Sequence, residues 1–312
     1  MQALQKSNSR DESKRVLVQL AVALKALSKE EASKAIQEIL SSGIDAQTHV
    51  EFEVGPGGRL SGANTLRVFL LDYHGEIDPQ AASEMATTIL NKLEAPDEWA
   101  VSLRNLARAG STTDKANFLR ERVRALLTHG PWQQTASVGY LEAFDVAVHI
   151  GGGQLVPELT RLLRLTNNPA VAHAAFLATD RLVLNDPIPV LSALNNYASL
   201  MEGRETARAG YFSRADVSDP EQRRILENYL LKTDPRVAEL DAFADLFPNE
   251  NYRISHNLLT ATPPRPGKII QQKDRETLRV VEGWMKQDRF KGVLPQLQTI
   301  QKRLREFTSG PR

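Results

Sequence analysis

The stretch QLVPELTRLLRLTNNPAVAHAAFLATDRLV, at residues 154–183, decides the fold of this 312-residue chain. Its first half carries apolar residues at the spacing of one helix face: Val156, Leu159, Leu162 and Leu163. Asn168 and Pro169 follow, an N-cap side chain and a residue that suits the first turn of a helix. The apolar pattern then returns at Val171, Ala174, Ala175 and Leu182. The stretch therefore predicts two helices joined by a short turn.

The same helix-start signal recurs along the chain. It occurs at Asp78-Pro79, Ala95-Pro96, Gly130-Pro131, Asn168-Pro169, Asp186-Pro187, Asp219-Pro220 and Asp234-Pro235. We take Pro96, Pro131, Pro169, Arg204 and Pro235 as the starts of the second helices of successive pairs, with separations of 35, 38, 35 and 31 residues. A period of this length with two helices in each unit predicts a solenoid, because each pair buries its apolar face only by stacking on its neighbours.

Two stretches resemble a HEAT repeat: residues 154–183, and residues 219–247 with Leu226, Tyr229, Leu230 and Asp234-Pro235-Arg236-Val237. The sequence departs from the family at Ala172, where the family often has Arg. The resemblance covers residues 78–247, and it implies an all-α fold, a right-handed α-α superhelix. HEAT repeats share an architecture and no common activity, so the resemblance does not identify a function.

An N-terminal region of different character precedes the repeats. Helices are predicted at about residues 11–27 and 29–41, the second starting with a capping box from Ser28 to Glu31. At residues 48–60, Val50, Phe52 and Val54 alternate with polar residues, and Gly-Pro-Gly-Gly then turns the chain. This pattern predicts a small β-hairpin inserted in a helical protein. Residues 1–77 are therefore expected to form a helical cap that contains the hairpin.

The remaining borders follow from proline content and charge. About five helix pairs are predicted at residues 78–260, a Pro-rich linker at 261–270 and a basic helical pair at 271–312. The whole chain has a net charge of +1, but residues 262–312 contain twelve Lys or Arg and only five Asp or Glu. The C-terminal region thus carries +7 and the rest of the chain −6. This basic tail is expected either to cap the solenoid or to reach another molecule.

The composition is that of a globular protein and excludes several classes. Hydrophobic residues make up 41% and charged residues 25%, close to the averages for globular proteins. The absence of cysteine excludes a disulfide framework and thiolate metal sites. The apolar run at residues 16–27 is too short to cross a bilayer, so we predict a soluble protein without a membrane span. The sequence leaves the compartment open between the cytoplasm, which is slightly favoured, and export. No phosphate-loop, dinucleotide or metalloprotease motif occurs, and no cofactor is expected.

The first candidate site lies in the helix expected to begin at Pro131. Glu142, Asp145 and His149 follow a spacing of three and then four, which puts them on one helix face. They could bind a divalent metal if another helix supplied His173 or Asp180. The structural alternative is an Asp145–His149 pair, with Glu142 bound to a cation of the next repeat. Spacing alone has little specificity, and no metal site is predicted.

The second candidate site combines arginine with aromatic residues. Arg208 and Arg214 flank Tyr211 in the stretch RETARAGYFSRAD at residues 204–216. The planar guanidinium group of arginine binds carboxylates or phosphates through two parallel hydrogen bonds, and aromatic rings between the arginines can stack on a peptide or a base. The alternative is that these arginines pair with interior acids. The predicted ligand-binding residues of the chain are Glu142, Asp145, His173, Asp180, Arg208, Tyr211 and Arg214.

Three functional hypotheses follow. The first is a non-enzymatic scaffold whose concave face, lined by the second helices of the pairs, binds a protein or peptide. The second is nucleic-acid binding through the basic tail, although the −6 charge elsewhere is unfavourable for a groove that follows a phosphate backbone. The third is a metal-dependent enzyme with a site at Glu142, Asp145, His149 and His173. Catalysis is left undecided by the sequence, and no catalytic residue is identified.

Overall fold

The computed structural model describes residues 4, 7, 9–110, 112–232, 237–251, 255–261 and 267–309. The chain is mostly helical with one small two-stranded sheet, which confirms the predicted all-α class. The predicted helix start at Pro235 and residues 262–266 of the predicted Pro-rich linker lie outside the described residues, whereas residues 267–270 of that linker belong to a helix.

The chain folds into two compact units. Unit 1 comprises Met1–Ile150 and Ser255–Ala261, and unit 2 comprises Gly151–Ile254 and Thr262–Arg312. The sequence predicted borders at residues 78, 261 and 271, which separate the cap, the repeats, the linker and the tail. The division into two compact units does not test these borders, so they stay predictions.

Unit 1 is built around one buried helix. Its helices are α1 Arg10–Lys25, α2 Lys29–Ser41, α3 Leu66–Ile77, α4 Pro79–Leu90, α5 Pro96–Arg108, α6 Thr113–Thr128, α7 Gly130–Gln134, α8 Val138–Glu142 and α9 Asp145–Ile150. Helix α5 packs against α3, α4, α6, α8 and α9. All of its residues from Asp97 to Leu106 are buried, which makes it the centre of this core.

The predicted hairpin is present in unit 1. Its strands, β1 Glu53–Val54 and β2 Leu60–Gly62, are antiparallel, and Val50 and Phe52 are buried as the alternation predicts. A short hairpin needs helices to pack on. Here the buried Arg104 of α5 donates to the Gly58 carbonyl at 2.8 Å and pairs with Asp72 of α3. The hairpin is thereby fixed to the centre of the core.

Unit 2 contains the two stretches that resemble HEAT repeats. Its helices are α10 Val156–Leu163, α11 Pro169–Asn185, α12 Pro187–Asn196, α13 Glu205–Phe212, α14 Pro220–Leu231, α15 Val237–Leu246, α16 Gly267–Met285 and α17 Leu294–Ser309. Helix α10 packs on α11 as predicted, α12 packs on α14, and α13 packs on α15. Helices α16 and α17 form an antiparallel pair, and α17 contacts α15.

Proline marks the helix starts at every predicted position within the described residues. Asp78, Asn168 and Asp219 also cap their helices through side-chain acceptors, as expected. Asp186 is the exception, because its carboxylate accepts from the Gly152 N–H at 2.7 Å and makes no bond to its own helix. The predicted cap at Asp186 is therefore wrong, and the residue fixes the glycine turn after α9 instead.

The single helix predicted from Pro131 is also wrong, because the chain forms three short helices there: α7, α8 and α9. The Ser137 hydroxyl accepts from the Tyr140 N–H at 3.2 Å and thereby starts α8. Ser137 also binds Asp97 of α5 at 2.5 Å, and Gly139 lies so close to Asp97 that a side chain would not fit. Contact with α5 breaks the helix.

Candidate functional site

Four of the predicted ligand-binding residues come together in unit 2. His173 and Asp180 lie on one face of α11, with Phe176 between them at helical spacing. Tyr211 lies on α13, and Arg214 follows the end of that helix. We call these five residues, His173, Phe176, Asp180, Tyr211 and Arg214, the α11–α13 surface.

An ion pair lies at one end of this surface. The Arg214 Nε and Nη2 donate to the two carboxylate oxygens of Asp180, each at 2.9 Å. Nη1 of the same guanidinium donates to the Asn249 carbonyl at 3.1 Å and to the Asn251 carbonyl. The Asp180 side chain keeps 17% of its surface exposed and that of Arg214 keeps 8%. The pair is therefore fixed in orientation and still reachable through Asp180.

Stacked rings form the other end. The His173 and Phe176 rings lie 6.4 Å apart and nearly parallel, and the Phe176 and Tyr211 rings lie 5.6 Å apart. His173 is exposed, Phe176 is half-buried and Tyr211 is buried. Burial raises the pKa of the Tyr211 hydroxyl well above its usual value, so it stays protonated and donates to the Phe176 carbonyl at 3.3 Å. The stack thus runs from solvent to the core.

Arg208 does not belong to this surface. Its guanidinium is buried, pairs with Glu239 at 3.3 Å and lies over the rings of Phe212 and Tyr229. The Tyr229 hydroxyl donates to the same Glu239 carboxylate at 3.0 Å. Interior pairing, the alternative that the sequence left open, is therefore the arrangement found for Arg208.

The other candidates, Glu142, Asp145 and His149, lie in unit 1 and do not share a helix face. Glu142 ends α8, whereas Asp145 and His149 lie on α9, the first fully buried and the second exposed. The expectation of one face is therefore wrong, because it assumed an unbroken helix. Among the described residues, no three His, Asp or Glu side chains are grouped so that they could hold a metal ion.

Asp145 has a structural role that the sequence did not indicate. Its carboxylate accepts from the Leu259 N–H at 2.7 Å and the Thr260 N–H at 2.9 Å, and from the Thr260 hydroxyl. Arg108 binds the adjacent Leu258 carbonyl at 3.0 Å. These contacts hold the segment Ser255–Ala261 in unit 1, and the partners of Asp145 are more than 100 residues away in the chain.

The basic tail packs within unit 2. Lys273 binds Asp216 at 2.6 Å, and Arg289 binds Glu227 of α14 at 3.0 Å. Trp284 is buried and donates its indole N–H to Glu227 at 2.7 Å. Arg303 donates to the Ala244 carbonyl near the end of α15 at 2.9 Å. The tail therefore covers α14 and α15.

No protein-family model matches this chain, and no match is found among curated proteins or solved structures. Within the part of the chain that the structure describes, no helix is both long and apolar enough to cross a membrane. The geometry of the α11–α13 surface is thus the basis for a functional proposal.

Proposed function

We propose that this chain is a non-enzymatic helical-repeat protein of HEAT-like architecture that binds a peptide on the α11–α13 surface. The packing in unit 2 supports the repeat architecture. Each of the helices α10 to α13 contacts the helix two places further along the chain, as expected when first helices stack on first helices and second helices on second helices. In such a solenoid α11, α13 and α15 are the second helices and line the concave face.

The observation that carries the proposal is a ring stack, exposed at His173 and half-buried at Phe176, beside an oriented ion pair. Aromatic side chains supply large contact area at a low entropic cost, and they are enriched where proteins bind peptides. The His173 and Phe176 rings offer such a face, and it is supported from below by the buried Tyr211. The Asp180 carboxylate, one helical turn further on, can accept a peptide N–H while Arg214 holds it in place.

A selection with random displayed peptides on the full chain tests this proposal. Peptides that bind should carry an apolar or aromatic residue and lose affinity in His173→Ala and Phe176→Ala, by about 30-fold for Phe176 if it acts as a hot spot. Tyr197→Ala is the matched control, since Tyr197 is 58% exposed in the same unit and lies outside the surface. The proposal fails if selected peptides bind both variants as tightly as the unmodified chain.

Nucleic-acid binding through the tail is the alternative function, and the internal pairing of the tail makes it the weaker one. Lys273, Arg289 and Arg303 are engaged by acids or carbonyl groups of unit 2. A metal-dependent enzyme is weaker still, since the residues that suggested it lie on separate helices or are already bound to the backbone. We therefore favour the peptide-binding function.

A further inference from the structure

A small pocket in unit 1 lies beside α5, α6 and α9. Its volume is about 160 Å³, and its apolar wall includes Leu106, Leu119 and Ile150. The lining also includes Ala116 and three basic side chains: Lys115, Arg120 and His149. His149, which spacing alone suggested as a metal ligand, thus lies among cationic groups.

The charge in this pocket is not neutralised by the protein. Within the part of the chain that the structure describes, no carboxylate lies within ion-pair distance of Lys115, Arg120 or His149. Arg120 donates from Nη1 to Asn117 at 3.0 Å, but its Nε–H is buried and has no acceptor among the described residues. The Arg120 guanidinium thus has no acidic partner among the described residues, and the pocket presents its positive charge together with that of Lys115.

We propose that this pocket binds a small organic anion, a carboxylate attached to an apolar group. The Arg120 guanidinium and the Lys115 ammonium supply the charge-assisted donors that a carboxylate prefers, and His149 adds a third N–H donor. The apolar wall suits a short aliphatic or aromatic group, and a cavity of about 150 Å³ holds a group the size of benzene. This site is separate from the α11–α13 surface and does not rest on the proposed function.

Calorimetric titration of the full chain with benzoate, benzamide and benzylamine tests the charge requirement. Benzoate should bind with a dissociation constant of about 1 mM, since a ligand of this size gains little per atom, whereas the neutral and cationic analogues should not bind. Arg120→Gln and Lys115→Gln should each weaken benzoate at least tenfold, as expected for loss of a charge-assisted hydrogen bond. Arg124→Gln is the control, one turn further along α6 and outside the pocket.

A second set of probes distinguishes a free metabolite from a peptide terminus. N-acetylphenylalanine, compared with its amide, reproduces the end of a peptide chain. Inorganic phosphate tests whether negative charge alone is enough for binding. Ala116→Leu, which fills the pocket without changing its charge, should abolish benzoate binding while circular dichroism shows an intact fold. Binding of benzamide as tightly as benzoate would overturn the proposal, and so would benzoate binding that survives both Arg120→Gln and Ala116→Leu.

Discussion

At the residue scale, Arg208 and Glu239 show how unit 2 tolerates charge in its core. Both side chains are buried, and neither charge would be stable there alone. The two aromatic rings under the guanidinium and the Tyr229 hydroxyl on the carboxylate supply the remaining favourable contacts. Removal of one partner is therefore more damaging than removal of both.

We expect Arg208→Met to lower the free energy of unfolding by about 3 to 5 kcal/mol, because Glu239 would be left as an uncompensated buried charge. The double variant Arg208→Met/Glu239→Gln should regain part of that loss. Urea denaturation followed by circular dichroism measures both values. Arg224→Met is the control, since Arg224 is exposed and its one ion pair among the described residues is with Glu221, one turn away. Equal costs for the two arginines would contradict this account of the core.

A second residue-scale prediction concerns His74, which is fully buried in α3 and lies 2.9 Å from the Ser33 hydroxyl. Burial lowers the pKa of His74, and the nearby Asp78 carboxylate opposes that shift only partly. In the unfolded chain the imidazole has its ordinary pKa of about 6.5. The unfolded state therefore binds more protons below that pH, so stability is full above about pH 6.5 and is lost as the pH falls.

The measurement is the free energy of unfolding at pH 7.5, 6.5 and 5.5. His74 should contribute a loss of up to about 1.4 kcal/mol for each pH unit below 6.5. His74→Gln removes the titrating group, so the difference between the two chains isolates it from the carboxylates that titrate nearby. Parallel pH profiles for the two chains would rule out this role for His74.

At the element scale, the Asp145 carboxylate binds two consecutive backbone N–H groups of the segment Ser255–Ala261. Asp145→Asn keeps the size of the side chain but replaces an anionic acceptor that serves two backbone N–H groups. We expect hydrogen exchange at the Leu259 and Thr260 amides to accelerate about tenfold or more, because charge-assisted hydrogen bonds are the stronger class. Asp114→Asn on the exposed first turn of α6 is the control. Unchanged protection at both amides would show that other contacts hold the segment.

Elements with a local cause could be predicted from the sequence. The capping box at Ser28 forms as expected, with both of its hydrogen bonds, and proline starts the helices as its fixed φ angle requires. The break between α7 and α8 could not be predicted, because its cause is Asp97, 40 residues before Ser137. The same limit applies to Asp145, whose partners are remote in sequence. A helical spacing is a reliable guide only where nothing interrupts the helix.

The candidate site was predictable to a similar degree. The sequence named His173, Asp180, Tyr211 and Arg214 as candidate ligand-binding residues without placing them together, and the structure brings the four together on α11, α13 and the residues after α13. Phe176 was missed, although it lies three residues after His173 and four before Asp180 and so had to share their face. The burial of Arg208 in the core depends on its pairing with Glu239 of α15 and had no local signal in the sequence.

At the scale of the whole molecule, the asymmetry of charge gains a structural explanation. The sequence showed a basic tail and an acidic remainder, and the tail was expected either to cap the solenoid or to reach another molecule. Lys273 of the tail binds Asp216, which lies in the loop between α13 and α14, and Arg289 binds Glu227 of α14. Part of the positive charge of the tail is thus paired with acidic residues of the same unit.

This pairing predicts how the full chain responds to nucleic acid and salt. Each phosphate contact made by a Lys or Arg contributes a slope of about −0.9 to the plot of log affinity against log salt for duplex DNA. Because the tail's best-placed cations are engaged by acids, we expect fluorescence anisotropy with a labelled duplex to show only weak binding, with a dissociation constant of about 10⁻⁴ M or higher. Arg289→Gln should then lower the free energy of unfolding by about 0.5 kcal/mol and leave DNA affinity unchanged.

Arg279→Gln is the matched control for this experiment, because Arg279 is an exposed residue on α16 and makes no ion pair with any residue that the structure describes. If the tail were a clamp, both substitutions would weaken DNA binding and each would reduce the salt slope by about one. If the tail instead stabilises the fold, only Arg289→Gln has an effect, and that effect is a lower free energy of unfolding. A steep salt slope that both substitutions reduce would therefore favour nucleic acid over peptide as the partner, since internal pairing cannot produce it.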